Sequence, residues 1–199
     1  MPWYDRDISE EGSIPHRLLR ATPTVGLCLI LLVDGAQRAK TWSVPVMGLL
    51  DESAHLTTAA LVLGSAPRTV VRSVWPWVLV GSVAIDVDHL PLYAGVSGFR
   101  IDGGRPPSHS LAVALLLLAG AAIPAVRKPL LGLAGGVMLH IVRDMATGPG
   151  VPLLWPLLAE NFLLPYPVYV ALMVLSTVGS TIRLGHGRVR RRAARPPRA

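Results

Sequence analysis

Four histidines in the middle of this 199-residue chain each stand close to a carboxylate or a hydroxyl. Asp51, Glu52 and His55 lie in LLDESAHLTTAA, and Asp86, Asp88 and His89 in GSVAIDVDHLPLY. His109 lies in GGRPPSHSLAV, and His140 and Asp144 in GGVMLHIVRDMATGPG. Asp51 to His55 and His140 to Asp144 are spaced i, i+4, which stacks both members on one helix face. Asp86 to His89 is i, i+3, just ahead of Pro91, which disfavours helix in the residue before it and leaves Asp88 at a terminus. Neutral imidazole with carboxylate and no thiolate suits zinc first, with manganese or iron as alternatives. His55, His89, His109 and His140, with Asp86, Asp88 and Asp144, exceed what one tetrahedral zinc needs. They fit either two ions per chain or one ion whose histidines are oriented by carboxylates. A carboxylate left out of coordination, Asp88 or Glu52, is then the candidate general base. Arg105 and Arg143 are candidates to hold an anionic group such as phosphate, an ion pair with a neighbouring Asp being the other reading.

The elements that must position these residues are membrane helices. The chain is 51% hydrophobic and only 16% charged, against about 25% charged in a typical soluble domain. Its apolar residues also come in solid blocks, which excludes intrinsic disorder and argues against a soluble globule. Six apolar segments can be read, at about 22–36, 54–66, 74–90, 109–126, 130–147 and 162–180. The fourth and sixth meet the roughly 17–25 residues of a spanning helix, whereas the second must borrow flanking residues. Runs such as LAVALLLLAGAA do not alternate, so a β-barrel is excluded. The fold class expected is all-α, a polytopic bundle of five to six transmembrane helices over 22–182, after a cytoplasmic segment at 1–21. Acidic residues at Asp5, Asp7, Glu10 and Glu11 speak against a cleaved signal peptide, so the first apolar run reads as a retained helix. Cys28, the single cysteine, rules out an internal disulfide and a Cys-rich zinc module.

The net charge of +7 belongs to one end of the chain. Residues 183–199 hold seven arginines and no acid, and without them basic and acidic residues are equal in number. Such a Pro- and Ala-punctuated stretch reads as a disordered basic tail that fixes topology or touches anionic lipid, and not as a nucleic-acid-binding arm. With six spans, fourteen Lys and Arg fall on the side of the tail and five on the other, so both termini are expected to be cytoplasmic. In that topology all four polar clusters converge on the opposite, outer face. His16 and His186 lie in polar flanks without an assigned role. Asp34, near the outer end of the first run, reads as interfacial, and Trp75, Trp77 and Trp155 as belt residues at the membrane surfaces.

The ordered succession DVDH, then R-x-x-SHS, then H-x-x-x-D followed by TGPGVPLLWPL, resembles the YdjM-like bacterial inner-membrane metal-dependent hydrolases. That family is distantly related to the zinc-dependent phospholipases C. The resemblance covers residues 51 to 160 and implies a location in the bacterial cytoplasmic membrane. It implies ligand roles for Asp86, Asp88, His89, His109, His140 and Asp144, and a site role for Ser110. GGRPPSHS keeps the family's Arg as Arg105 but lacks the His and Gly that often accompany it. Asp51 and His55 rest on the topology instead.

These readings lead to a membrane-embedded metal-dependent hydrolase with a His/Asp site at the outer face, acting on a phosphoester or lipid-type substrate. A metal-binding or metal-transporting protein without hydrolase activity is the first alternative. A structural membrane protein whose polar clusters tie helices together is the second. A transporter is expected to place its ligands near the bilayer midplane.

Overall fold

The computed structural model describes residues 16–90 and 105–193, with side chains placed for 21–90 and 105–185. The segment before His16 expected to be cytoplasmic, residues 91–104 with Arg100, and the end of the tail lie outside the described residues. Among the described residues six helices follow one another: α1 (His16–Ala39), α2 (Val44–Ser65), α3 (Arg68–Ala84), α4 (Leu111–Gly120), α5 (Arg127–Thr147) and α6 (Tyr166–Ala193). A 3-10 turn at Ile85–His89 extends α3, and a second at Pro124–Val126 leads into α5. No strand occurs among the described residues. A single antiparallel bridge pairs Val151 with Phe162 in the connection between α5 and α6.

Among the described residues four stretches are long and apolar enough to cross a membrane: Val44–Ser65, Arg68–His89, Pro124–Thr147 and Tyr166–Gly185. The exposed surface is apolar, with Leu32, Leu49, Leu116 and Leu175 facing outward, while Asp34, His55, His109, His140, Arg143 and Asp144 are buried. That inversion is what a lipid solvent requires, because polar side chains in hydrocarbon must find partners inside the bundle. The chain is a helical membrane bundle.

Three expectations change. The fourth apolar segment is not a full-length helix: α4 has ten residues, about 15 Å of rise against a hydrocarbon core of about 30 Å. It still carries the chain back from the end of α3 to the start of α5, which run parallel, Gly132 meeting Val74 and His140 meeting Ser82. Pro106 and Pro107 delay its start and Pro124 prevents its continuation, so hydropathy alone overstated its length. The second segment gains what the fourth lacks. Ser43 and Pro45 start α2 at Val44, as Pro in the first turn does, so Asp51, Glu52 and His55 lie in the middle of a 22-residue helix and not at its mouth. At the other end, α6 carries the basic segment on as helix as far as Ala193, since arginine and alanine are strong helix formers.

The pair α3 and α5 is packed backbone to backbone. A Cβ at Gly136 would overlap the Val78 carbonyl oxygen, one at Gly81 the Leu133 carbonyl oxygen, and one at Gly132 would stand 2.5 Å from the Trp77 Cβ. Small residues at these positions allow the close helix approach that membrane interfaces favour. Gly135, one residue over, meets only the Val78 Cγ2 at 3.7 Å. Gly136→Ala is therefore expected to lower the thermal midpoint in detergent, whereas Gly135→Ala, which relieves a flexible backbone at no steric cost, leaves it unchanged or raised. Equal midpoints for the two variants would contradict the packing.

Candidate metal centre

The glycine-mediated contact places the first candidate ligand. With α3 against α5, the Ser82 carbonyl oxygen lies 2.8 Å from His140 Nδ1. A carbonyl only accepts, so Nδ1 carries the proton and Nε2 keeps its lone pair, the way metal-binding histidines are held in one tautomer. That Nε2 points to Asp144 Oδ2 at 3.0 Å and Asp86 Oδ1 at 3.4 Å. From α2, the His55 ring stacks on His140 with centroids 3.7 Å apart and planes 5° from parallel. Its Nε2 lies 3.3 Å from Asp144 Oδ1 and 3.8 Å from Asp51 Oδ1.

The 3-10 turn after α3 supplies Asp86, Asp88 and His89 together, because its tighter winding gathers three residues that an α-helix would spread around its axis. Asp86 Oδ1 lies 3.0 Å from His109 Nε2 and 3.3 Å from His89 Nδ1. Asp88 contacts His89 Nδ1 at 2.8 Å and His109 Nδ1 at 3.3 Å, and accepts from the Ser108 hydroxyl. His109 and Ser110 sit just before α4, held in place where the Leu111 N–H donates to the Leu153 carbonyl at 2.9 Å. The loop after α5 thereby braces the other side of the centre. Burial alone would lower the His109 pKa, but the hydrogen-bonded Asp86 and Asp88 carboxylates and the charge of Asp144 outweigh it. The imidazole is raised above its ordinary value, His140 opposing.

These groups approach one another without satisfying one another. His55 Nε2, His140 Nε2, His109 Nδ1, Asp88 Oδ1 and Asp144 Oδ1 are buried atoms that make no hydrogen bond. Buried polar atoms left this way are costly, and here they collect in one place. Four overlapping groups have donor atoms mutually within 4.8 Å: Asp86, Asp88, His89 and His109; His55, Asp86 and His140; His109, His140 and Asp144; and Asp51, His55 and Asp144. Each could hold a metal ion, and the donor set of imidazoles and carboxylates fits a divalent transition metal.

Glu52 lies beside them with Oε2 buried and unbonded, facing a cavity of about 500 Å³ that Asp51, Asp86, His89 and Arg105 also line. The two arginines part company. Arg105 lines that cavity, with Nη1 2.7 Å from Asp144 Oδ2, and Gly148 lets its guanidinium lie against the end of α5, where a Cβ would stand 2.7 Å from Nη2. Arg143 does not reach the cavity. It is fully buried, donates to Asp34 at 2.7 Å and to the Tyr169 hydroxyl at 3.2 Å, and leaves Asp51 at 3.7 Å. Of the two readings open for Arg143, the ion pair is the one the packing selects. Asp34 is likewise buried and not interfacial, accepting also from Tyr166 at 2.8 Å.

Sequence reasoning passed over four contributors. The Ser82 carbonyl is invisible to a search for side chains, and Thr58, Tyr166 and Tyr169 carry no spacing signal. Asp51 was legible, through its i, i+4 relation to His55. His16 and His186 lie outside the described side chains.

The sequence model of the YdjM inner membrane protein family matches residues 50–195. None of the curated proteins and none of the solved structures compared with the chain matches it.

Proposed function

The chain belongs to the YdjM inner membrane protein family, and on that premise we propose that it is a membrane-embedded metal-dependent hydrolase of phosphoesters. The observation that carries the reading is the set of four overlapping His/Asp groups whose buried donor atoms lack hydrogen bonds. His55, Asp86, Asp88, His89, His109, His140 and Asp144 are the ligands, holding one or two ions, zinc first among the candidates. A divalent cation supplies Lewis acidity and a water that ionises near neutral pH, at about 7 in zinc enzymes.

The chain's own residues do the rest. Asp88 is taken up by His89, His109 and Ser108, so Glu52, with its unbonded oxygen at the cavity, is the general base. It accepts the proton of the attacking water as the new bond to phosphorus forms, and returns it to the leaving oxygen as the old phosphorus–oxygen bond breaks. Arg105 faces the phosphoryl oxygens and neutralises their charge. Glu52→Gln is expected to keep the metal and lose about 10²–10⁴-fold in kcat on a soluble phosphodiester, the usual contribution of a positioned base. Activity at the wild-type level would remove Glu52 from this role.

The centre faces the outer side, on the Lys and Arg distribution. Alkaline phosphatase fused at residue 104 is expected to be active, and a cytoplasmic reading would invert the topology. One observation favours metal translocation instead: His55 stands at the middle of α2, the depth at which transporters bind their ions. Zinc or manganese uptake into proteoliposomes that survives Glu52→Gln, without phosphoester turnover by the wild type, would decide for that alternative.

A further inference from the structure

A second cavity, about 610 Å³, lies among α1, α2, α3 and α6. Val25, Leu56, Ala60, Leu61, Leu79 and Leu184 give it its character. Two glycines keep it open: a Cβ at Gly26 would stand 3.2 Å from the Leu61 Cδ2, and one at Gly64 2.5 Å from the Ser180 Oγ. Two of its hydroxyls already donate to backbone. Thr57 donates to the Ser53 carbonyl at 2.6 Å and Ser180 to the Leu61 carbonyl at 3.1 Å. A cavity of this size with so apolar a lining takes alkyl chain.

Its place relative to the metal centre says which chain. On α2, Leu56 follows Glu52 by four residues, and on α3, Leu79 precedes Val83 by four. Glu52 and Val83 line the metal cavity, while Leu56 and Leu79 line the apolar one. Because α2 and α3 are joined by a short turn and run in opposite directions, both steps lead the same way along their shared groove. The apolar cavity thus begins one helical turn beyond the metal cavity and continues towards Gly64, about 18 Å from Glu52 along the α2 axis. One end of this groove carries metal ligands and Arg105, suited to an anionic head, and the other end is hydrocarbon.

We infer that this apolar cavity is a lipid-chain subsite, seating the alkyl chain of an amphiphilic phosphoester whose head lies at the metal centre one helical turn away. This rests on the hydrolase reading for the position of the head, and makes the substrate a membrane lipid and not a water-soluble ester.

The test is photolabelling of the full-length, zinc-loaded protein in detergent with a long-chain alkyl phosphonate bearing a diazirine on its chain. A phosphonate cannot be hydrolysed, so binding is read apart from turnover. Label is expected on the peptides holding Leu56–Gly64 and Val25. It should fall at least tenfold when zinc is stripped, and in Ala60→Phe, which fills the groove from α2. Leu79→Phe fills it from α3 and serves if Ala60→Phe does not fold, folding being judged by retained zinc. Label that is absent from these peptides, or indifferent to zinc and to both substitutions, overturns the inference, the second pattern marking ordinary lipid contact. Failure of the hydrolase reading looks different: zinc-dependent label in the groove, with no turnover of the matching phosphoester. Zinc-free wild type in the same sample marks failure of the metal centre itself.

Discussion

Detergent-purified protein carrying both His140→Ala and Asp144→Ala is expected to retain no zinc, manganese or iron, where the wild type holds about one or two ions per chain. Each residue serves two of the four ligand groups, so the double substitution leaves only the Asp86, Asp88, His89 and His109 group intact. That group then loses the charge of Asp144, whose Oδ2 lies 3.5 Å from His109 Nε2, and its affinity falls with it. The substitutions empty a buried spot that is over-supplied with polar atoms, so helix content by circular dichroism should stay at the wild-type level. Elemental analysis of both proteins after reloading with metal is the measurement. Wild type that stays metal-free would falsify the metal centre and leave polar clusters that only tie helices together. That structural role alone would instead make His140→Ala unstable without any change in metal content.

Removing one partner from the Asp34–Arg143 pair should cost about 3–5 kcal/mol, the usual penalty for leaving a buried charge without its counterpart. Arg143 sits at the junction of four helices: its guanidinium bonds Asp34 on α1 and Tyr169 on α6, and Tyr169 is bonded in turn to Thr58 on α2 at 2.6 Å. Arg143→Met strands Asp34, which retains only the Tyr166 hydroxyl. The double variant Asp34→Leu with Arg143→Met removes both charges, and Tyr169 keeps Thr58. It is expected to recover most of the loss, because a buried ion pair replaced by apolar residues of similar volume is often neutral. Chemical unfolding in mixed micelles, with the two single variants and the double, gives the coupling directly. Additive losses would mean that the two residues do not act as a pair. Metal binding by the folded double variant separates this scaffold from the centre next to it: Arg143 precedes Asp144 in α5, and its side chain leaves the helix about 100° further round, towards Asp34 and Tyr169.

Much of this molecule is legible before any fold is known. Solid apolar blocks with little charge require helices in a membrane, because a helix satisfies its own hydrogen bonds there and unalternating runs do not suit the closed barrel that also does. The i, i+4 pairs Asp51/His55 and His140/Asp144, and the DVDH run, carry their own geometry, so the type of chemistry could be read from spacing. The motifs that resemble the YdjM-like proteins lie within residues 50–195, over which that family matches. Periodicity and composition are local properties, and the chain states them residue by residue.

What tertiary structure decided is where a local signal had two outcomes. Arg105 and Arg143 are alike as residues, and only packing sends one to the metal cavity and the other to Asp34. The ten-residue α4 and the extended α2 depend on where prolines stop one helix and start another, which a hydropathy sum does not register. The tautomer of His140 depends on a carbonyl of α3, 58 positions away in the chain, brought near because Gly81, Gly132 and Gly136 let two backbones touch. A histidine is a ligand by its type, but which of its nitrogens is free is set by its neighbours in space. The apolar groove beyond Glu52 arises in the same way, from residues of four helices that no stretch of sequence holds together.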